Sequence, residues 1–303
     1  MPERPASALG AALTEQSNPA SENIDQLPVE QILRIIHAED CRVAGSVAPE
    51  IPNIARTVDS VVAAIHRGGR LFYLGAGTSG RLGVLDACEC PPTFGVEPEL
   101  VTAVIAGGDV ALRNAAEGYE DDAQAGAADL RARGFKGADA LIGIAASGRT
   151  PYVLGAMEEA KRVGALTGCI VCAPESPVAA RVQYPIELLT GAEVIIGSTR
   201  LKAGTATKLA LNMISSGVMV KLGHVYSNLM VNVQPTNAKL VDRAQRILMK
   251  LVRCERERAA ELLEAAGRNV RTALVMGKLG LDRAGAEERL AAVQGRLREA
   301  LKG

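Results

Sequence analysis

The chain has 303 residues, of which 48% are hydrophobic and 22% are charged, so it is long and apolar enough to bury a full core. Its 34 basic and 34 acidic side chains balance, and no basic stripe indicates nucleic acid or an anionic membrane as a partner. No apolar run reaches the roughly 20 residues of a membrane span, and the N-terminus lacks the pattern of a secretory leader. The composition therefore predicts a globular cytoplasmic protein with six reduced cysteines.

The N-terminal part is predicted to contain a tail and two helices. Residues 1–12 are rich in alanine, proline and serine and are expected to be disordered. An amphipathic pattern begins at Val29, and a second one continues to Ile65 and stops at Gly68 and Gly69. Both patterns have the spacing of helices that pack against a core.

Four short apolar runs then alternate with segments of helical length. The runs are RLFYLGAG, LVTAVIAGG, ALIGIAASG and LTGCIVC. This alternation is typical of βαβ units and predicts an α/β fold, with a parallel sheet flanked by helices and ligands at the carboxyl ends of the strands. Cys169 and Cys172 have CxxC spacing, but their position in the last run indicates buried structural thiols.

The strand pattern ends after VQPTN. From Asn237 onward, amphipathic segments rich in leucine and alanine predict helices, with turns at Gly267, Gly280 and Gly285. We therefore predict a sheet domain over residues 13–236, including the N-terminal helices, and a small C-terminal helical module over 237–303.

The segment 75–80, GAGTSG, follows the first predicted strand and matches GxGxxG. A dinucleotide site would also need an acidic residue about 20 positions later at the end of the next strand, and that strand ends farther on. A P-loop would need a closing GKS or GKT, which is missing. The distinguishing side chains are Thr78 and Ser79, which together with Gly80 can surround the oxygens of a phosphate.

A second loop repeats this chemistry after the strand ALIGIAA. Ser147, Gly148 and Thr150 precede a helix that begins at Pro151, so hydroxyls and amides can meet an anion at its positive end. In either loop, the alternative is that a hydroxyl simply caps the helix. Their joint occurrence on one sheet favours a phosphate site.

A third segment, STRLKAGT, precedes the helix TATKLALNMISSG. Its cations Arg200 and Lys202 are weaker candidates for the same anion, and the alternative is a solvated loop. No metal site is predicted, because the three histidines form no HxxxH pattern or cluster with cysteine.

Several longer segments of the sequence are more specific than the glycine loops and indicate one family. They are LTEQSNPAS, YLGAGTSGRLGVLDACECPPTFGV, IAGGDVALRNAAEGYEDD, GIAASGRTPYV, GSTRLKAGTATKLALNMIS and NLMVNVQPTNAKL. With these segments the chain resembles the N-acetylmuramic acid 6-phosphate etherases, whose core is a sugar isomerase (SIS) domain. The resemblance runs from about Leu13 to near the C-terminus.

The resemblance implies removal of D-lactate from N-acetylmuramic acid 6-phosphate during recycling of cell-wall sugar, without a cofactor. It places catalytic glutamates at Glu89, in ECPPT, and at Glu120, in EGYED, and implies a homodimer. The family commonly has serine where Cys88 stands. Partial burial is expected to tune such glutamates for acid–base work.

The residues alone are also compatible with two other functions. An aldose–ketose isomerase would bind the phosphate with the same loops and would leave C3 of the sugar unchanged. A regulator that senses sugar phosphates would bind without turnover, although the short N-terminal segment offers little room for a DNA-binding helix-turn-helix.

Overall fold

A computed structural model describes residues 13–114 and 118–302. The predicted tail, 1–12, lies outside the described residues. The chain packs as two compact units. We define the sheet unit as the described residues up to Ala87 together with Glu99–Ser215, and the helical unit as Cys88–Pro98 together with the described residues from Ser216 onward.

The sheet unit is built on five parallel strands in the order β2-β1-β3-β4-β5. The strands are β1 (Leu71–Gly75), β2 (Val101–Ile105), β3 (Ala140–Ile144), β4 (Leu166–Val171) and β5 (Tyr184–Glu187). The first four confirm the predicted runs. Every residue of β1 and β3 is buried, as expected for central strands covered on both faces. The short β5 was not predicted, because YPIE contains a proline, which an edge strand tolerates.

Helices cover this sheet. Those within the sheet unit are α1 (Val29–Asp40), α2 (Val43–Val47), α3 (Ile51–His66), α5 (Val110–Arg113), α6 (Ala123–Ala132) and α7 (Pro151–Arg162). The helices α4 (Gly77–Phe94) and α8 (Lys202–Lys221) begin in the sheet unit and end in the helical unit. The core of the sheet unit includes Phe72, Leu141, Met157 and Val171, which join the strands to α7.

Two close contacts explain why the first loop is rich in glycine. A Cβ on Gly80 would lie 2.7 Å from the carbonyl oxygen of Gly75, and a Cβ on Gly75 would lie 2.9 Å from that of Ile144. Any larger residue would push α4 away from β1, since backbone atoms cannot give way. The glycines therefore seat the start of α4 directly on the sheet.

The helical unit has its own hydrophobic core. Its complete helices are α9 (Ala238–Leu248), α10 (Arg256–Ala265), α11 (Val270–Leu279), α12 (Arg283–Ala292) and α13 (Leu297–Ala300), with a π-helix over Met249–Arg253. Gly267 and Gly280 both have the left-handed backbone conformation, which confirms two of the three predicted turns. The prediction for Gly285 was wrong, because this residue lies in the first turn of α12 and its amide donates to the Asp282 cap.

The helical unit contains more of the chain than the predicted module, residues 237–303. It also includes Cys88–Pro98 and 216–236, which the strand pattern had grouped with the sheet. Asn232 joins these segments, because its side-chain amide donates to the carbonyl oxygens of Phe94 and Gly95. Across the described residues, no helix combines the length and apolar character of a membrane span.

Candidate active site

The two hydroxyl loops follow neighbouring strands. β1 and β3 are paired in register up to their last residues, Gly75 and Ile144, so both loops leave the same edge of the sheet side by side. The chain continues from β1 to β2 on one side and from β3 to β4 on the other. Such a reversal of strand order opens a crevice at the carboxyl ends, where ligands bind in parallel sheets.

Thr78 and Ser79 lie in the first turn of α4, and both are half-buried. Gly77 precedes them with φ +53°, a left-handed turn that glycine adopts without strain. Amide groups in the first turn of a helix lack intrahelical acceptors and carry the positive end of the helix dipole. The first loop therefore offers two hydroxyls at the positive end of α4.

The second loop also places hydroxyl groups at the start of a helix. Thr150 is the N-cap residue of α7, yet its side chain makes no capping hydrogen bond. Ser147 Oγ accepts a bond from the amide of Arg149 at 3.3 Å. Since Thr150 does not cap the helix, its half-buried hydroxyl remains available for another acceptor at the positive end of α7.

The third segment adjoins the first loop. A Cβ on Gly204, in the first turn of α8, would lie 3.6 Å from Thr78 Cγ2, so this helix begins beside the Thr78 side chain. Arg200 is exposed, whereas Lys202 is buried and its ammonium lies 2.5 Å from Glu39 Oε2. Lys202 therefore already has a charged partner within the protein.

The start of α8 is already occupied by a carboxylate. Glu193 is fully buried, and its two oxygens accept hydrogen bonds from the amides of Lys202 and Ala203, both at 2.9 Å. A buried carboxylate at a helix N-terminus satisfies amides that a phosphate would otherwise bind. The amides of Lys202 and Ala203 are therefore already satisfied within the protein.

A buried polar cluster joins α4 to α8 within the sheet unit. Asp86 Oδ1 accepts hydrogen bonds from Asn212 Nδ2 at 2.7 Å and from Ser215 Oγ at 3.1 Å. Burial raises the pKa of Asp86, while the hydrogen bonds from Asn212 and Ser215 oppose that rise. Sequence reasoning missed this cluster because its members are far apart along the chain.

Arg81 is a second residue that the sequence did not single out. Its guanidinium donates to the carbonyl oxygens of Ala111, Leu112 and Asn114, at 3.0, 3.2 and 2.9 Å. These carbonyls belong to α5 and to the residue that follows it. Arg81 therefore ties the segment after β2 to the first turns of α4.

Each predicted glutamate lies on a different unit. Glu89 is exposed on the last turns of α4, in the helical unit, and is followed by buried Cys90 and two prolines. Glu120 is exposed on a short 3₁₀ helix of the sheet unit, after left-handed Gly118. The partial burial expected for both is thus absent from the single chain.

Relatives with known names resemble the chain over nearly its full length. It is 52% identical to an N-acetylmuramic acid 6-phosphate etherase of Photorhabdus laumondii, over 90% of this chain and 91% of the relative. It is also 52% identical to an etherase of the same name from Aeromonas hydrophila, over 95% of this chain and 96% of the relative. The chain belongs to the N-acetylmuramic acid 6-phosphate etherase family.

Two further comparisons fit membership of the etherase family. Residues 53–161 match the family model for the glucokinase regulatory protein N-terminal SIS domain. A Bacteroides fragilis protein provisionally assigned as a phosphosugar isomerase of capsule formation superposes with a TM-score of 0.52 and 18% identity, over 70% of this chain and 98% of that one. This likeness confirms the SIS-type fold.

Among the other ionisable groups, Cys169, Cys172 and His224 have strongly shifted pKa values. Burial raises the pKa of Cys169 and of Cys172 to about 12, which confirms both as buried structural thiols. His224 receives a hydrogen bond from Asn232 Nδ2 at 3.0 Å when its Nδ1 is unprotonated, and burial lowers its pKa to about 4. Among the described residues, no three His, Cys, Asp or Glu side chains cluster as metal ligands would.

Proposed function

We propose that this etherase-family enzyme removes D-lactate from N-acetylmuramic acid 6-phosphate and releases N-acetylglucosamine 6-phosphate. The observation that carries the proposal is the near full-length identity to etherases. The two hydroxyl loops on neighbouring strands support it, because they provide a site for the phosphate. Thr78, Ser79, Ser147 and Thr150 would bind its oxygens, while Gly80 and Gly148 would hold the two loops in place through their close packing against the protein.

The chemistry requires acid–base catalysis at two positions of the sugar. Opening the ring to the aldehyde places C2 next to a carbonyl, which acidifies the C2 proton. A base removes this proton, and an acid protonates the lactyl oxygen as it leaves C3. Water then adds across the C2–C3 double bond of the unsaturated aldehyde, with its hydroxyl at C3 and a proton returned to C2, so the ether is replaced by a hydroxyl. These steps transfer protons and water only, and we propose no cofactor.

We assign Glu89 to acid–base work at the elimination step and Glu120 to the handling of water. Carboxyl groups can serve in both protonation states, as these steps require. The support is positional, since Glu89 lies in ECPPT and Glu120 in EGYED. By contrast, Asp122 has a structural role, because its carboxylate caps α6 through the amides of Gln124 and Ala125.

The test is lactate release from N-acetylmuramic acid 6-phosphate, with binding measured separately. We expect Glu89→Gln and Glu120→Gln to lower turnover by about 100-fold or more while sugar-phosphate binding persists. The exposed neighbours Glu97→Gln and Asp121→Asn are matched controls and should retain turnover. Near-normal lactate release by either glutamine variant would remove that residue from the mechanism. Interconversion of aldose and ketose without lactate would indicate an isomerase instead.

We further propose that the enzyme is a cytoplasmic homodimer that acts in the recycling of cell-wall amino sugars. The six free cysteines suit a reducing compartment. Val29 and Leu33 are one turn apart on α1 and 70% and 58% exposed, and such an apolar stripe suits a self-complementary interface. Leu33→Glu should convert the dimer to a monomer in sedimentation equilibrium. An unchanged mass would exclude α1 from the interface.

A further inference from the structure

A buried ion pair joins the N-terminal helices to the start of α8. Lys202 Nζ lies 2.5 Å from Glu39 Oε2, and their side chains are only 4% and 5% exposed. Asn18 Nδ2 donates to the same carboxylate oxygen at 3.0 Å, and Arg42 donates to the other at 2.8 Å. Buried charges are costly unless they are paired and hydrogen-bonded, as both are here.

The same asparagine begins a series of bonds to the segment before α8. Asn18 Nδ2 also donates to the carbonyl oxygen of Ala192 at 3.2 Å, and Ser21 Oγ donates to that of Val194 at 2.7 Å. The amide of Gly197 donates to the carbonyl oxygen of Thr14 at 3.1 Å. Residues 14–21 therefore hold the segment 192–197 at three points.

The segment held in this way leads directly into Ser198, Thr199 and Arg200. At its far end, the amide of Gly204 donates to the carbonyl oxygen of Thr199 at 2.9 Å. Gly204 in turn lies beside Thr78 of the first phosphate loop. The three residues before Leu201 are thus fixed between the buried pair and the phosphate loop.

We propose that Asn18, Glu39 and Lys202 form a positioning network that sets the Ser198–Arg200 segment against the phosphate of the substrate. The inference rests on the proposed function for the identity of that substrate. None of the three residues touches the ligand, since all are more than nine-tenths buried. The network acts on binding, so its loss raises KM for the sugar phosphate and leaves kcat nearly unchanged.

The test compares the network with another buried carboxylate of the sheet unit. Glu39→Gln with Lys202→Met removes both charges together, and Asn18→Ala removes only the bonds to Glu39 and Ala192. The matched control is Glu159→Gln on α7, whose carboxylate is equally buried and paired with arginines. Lactate release gives KM and kcat, calorimetry with inorganic phosphate gives affinity without turnover, and thermal unfolding gives stability.

We expect the network variants to raise KM and weaken phosphate binding by about tenfold or more, since small displacements of positioning groups have large effects. The single variant Lys202→Arg should, by contrast, retain much of the affinity for phosphate. Glu159→Gln should lower the Tm without changing KM. A lowered Tm with unchanged KM and phosphate affinity in the network variants would show that the network only stabilises the fold. If the wild-type protein binds phosphate but releases no lactate, the proposed function is refuted instead.

Discussion

Replacing Gly148 by alanine tests whether the second phosphate loop depends on close backbone packing. Gly148 has φ +60°, a conformation that costs an alanine about 1–2 kcal/mol. Its new Cβ would also lie 2.2 Å from Ser176 Oγ and 2.3 Å from Ser176 Cβ. Ser176 is buried and caps the turn that follows it, accepting the amide of Ala179 at 3.2 Å, so it has little room to move.

Overpacking of this kind costs about 1–3 kcal/mol, so the free energy of unfolding should fall by about 2–5 kcal/mol in total. Gly164→Ala is the matched control. It has φ +76° with nothing within 4 Å of the new Cβ, so it carries only the backbone cost of about 1–2 kcal/mol. Urea unfolding measures both variants, and calorimetry with inorganic phosphate reports whether the displaced loop still binds.

Ser176→Gly supplies a rescue, because it removes the two Ser176 atoms that the new Cβ would meet most closely and leaves only a contact of 3.2 Å with Val171 Cγ1 among the three nearest atoms. The double variant Gly148→Ala with Ser176→Gly should be more stable than Gly148→Ala alone, which reveals coupling between the two sites. The reasoning is refuted if Gly148→Ala is no less stable than Gly164→Ala and binds phosphate normally.

Three further predictions follow from individual side chains. His224 has a folded-state pKa of about 4 against an ordinary 6.5, so the unfolded state takes up a proton first and stability falls as the pH drops between these values, by about 3 kcal/mol at most. Unfolding measured across this range should show a smaller loss for His224→Gln, and an equal loss would exclude His224 as the cause. Thr150→Val should weaken phosphate binding about tenfold and change stability by less than about 0.5 kcal/mol, because the hydroxyl does not cap α7; unaltered affinity in calorimetry would exclude that hydroxyl. Cys169 and Cys172 should resist iodoacetamide at neutral pH while exposed Cys88 reacts, as mass spectrometry can check, and rapid labelling of the buried pair would contradict their assignment.

The sheet was predictable because its strands are buried on both faces and read as continuous apolar runs. The glycine and hydroxyl pattern after β1 and β3 likewise identified the two loops, and the paired ends of these strands bring them side by side. Among the strands of the described residues, β5 alone was not predicted, since a four-residue edge strand with a proline has too weak a pattern.

Side-chain partners across long sequence distances could not be predicted. Lys202 had the sequence context of a phosphate ligand, but its partner Glu39 lies 163 positions away along the chain. The Asp86 cluster is similar, because Asn212 meets it only when α4 and α8 pack together. Both cases depend on tertiary packing, which periodicity and spacing along one chain do not encode.

The fate of the ether oxygen, and of the water oxygen that replaces it at C3, tests the central claim most directly. Purified protein is incubated with N-acetylmuramic acid 6-phosphate in water enriched in heavy oxygen, and both products are examined by mass spectrometry. Elimination followed by hydration predicts unlabelled D-lactate and N-acetylglucosamine 6-phosphate with one heavy oxygen at C3. Labelled lactate with an unlabelled sugar, or no lactate at all, would contradict the account.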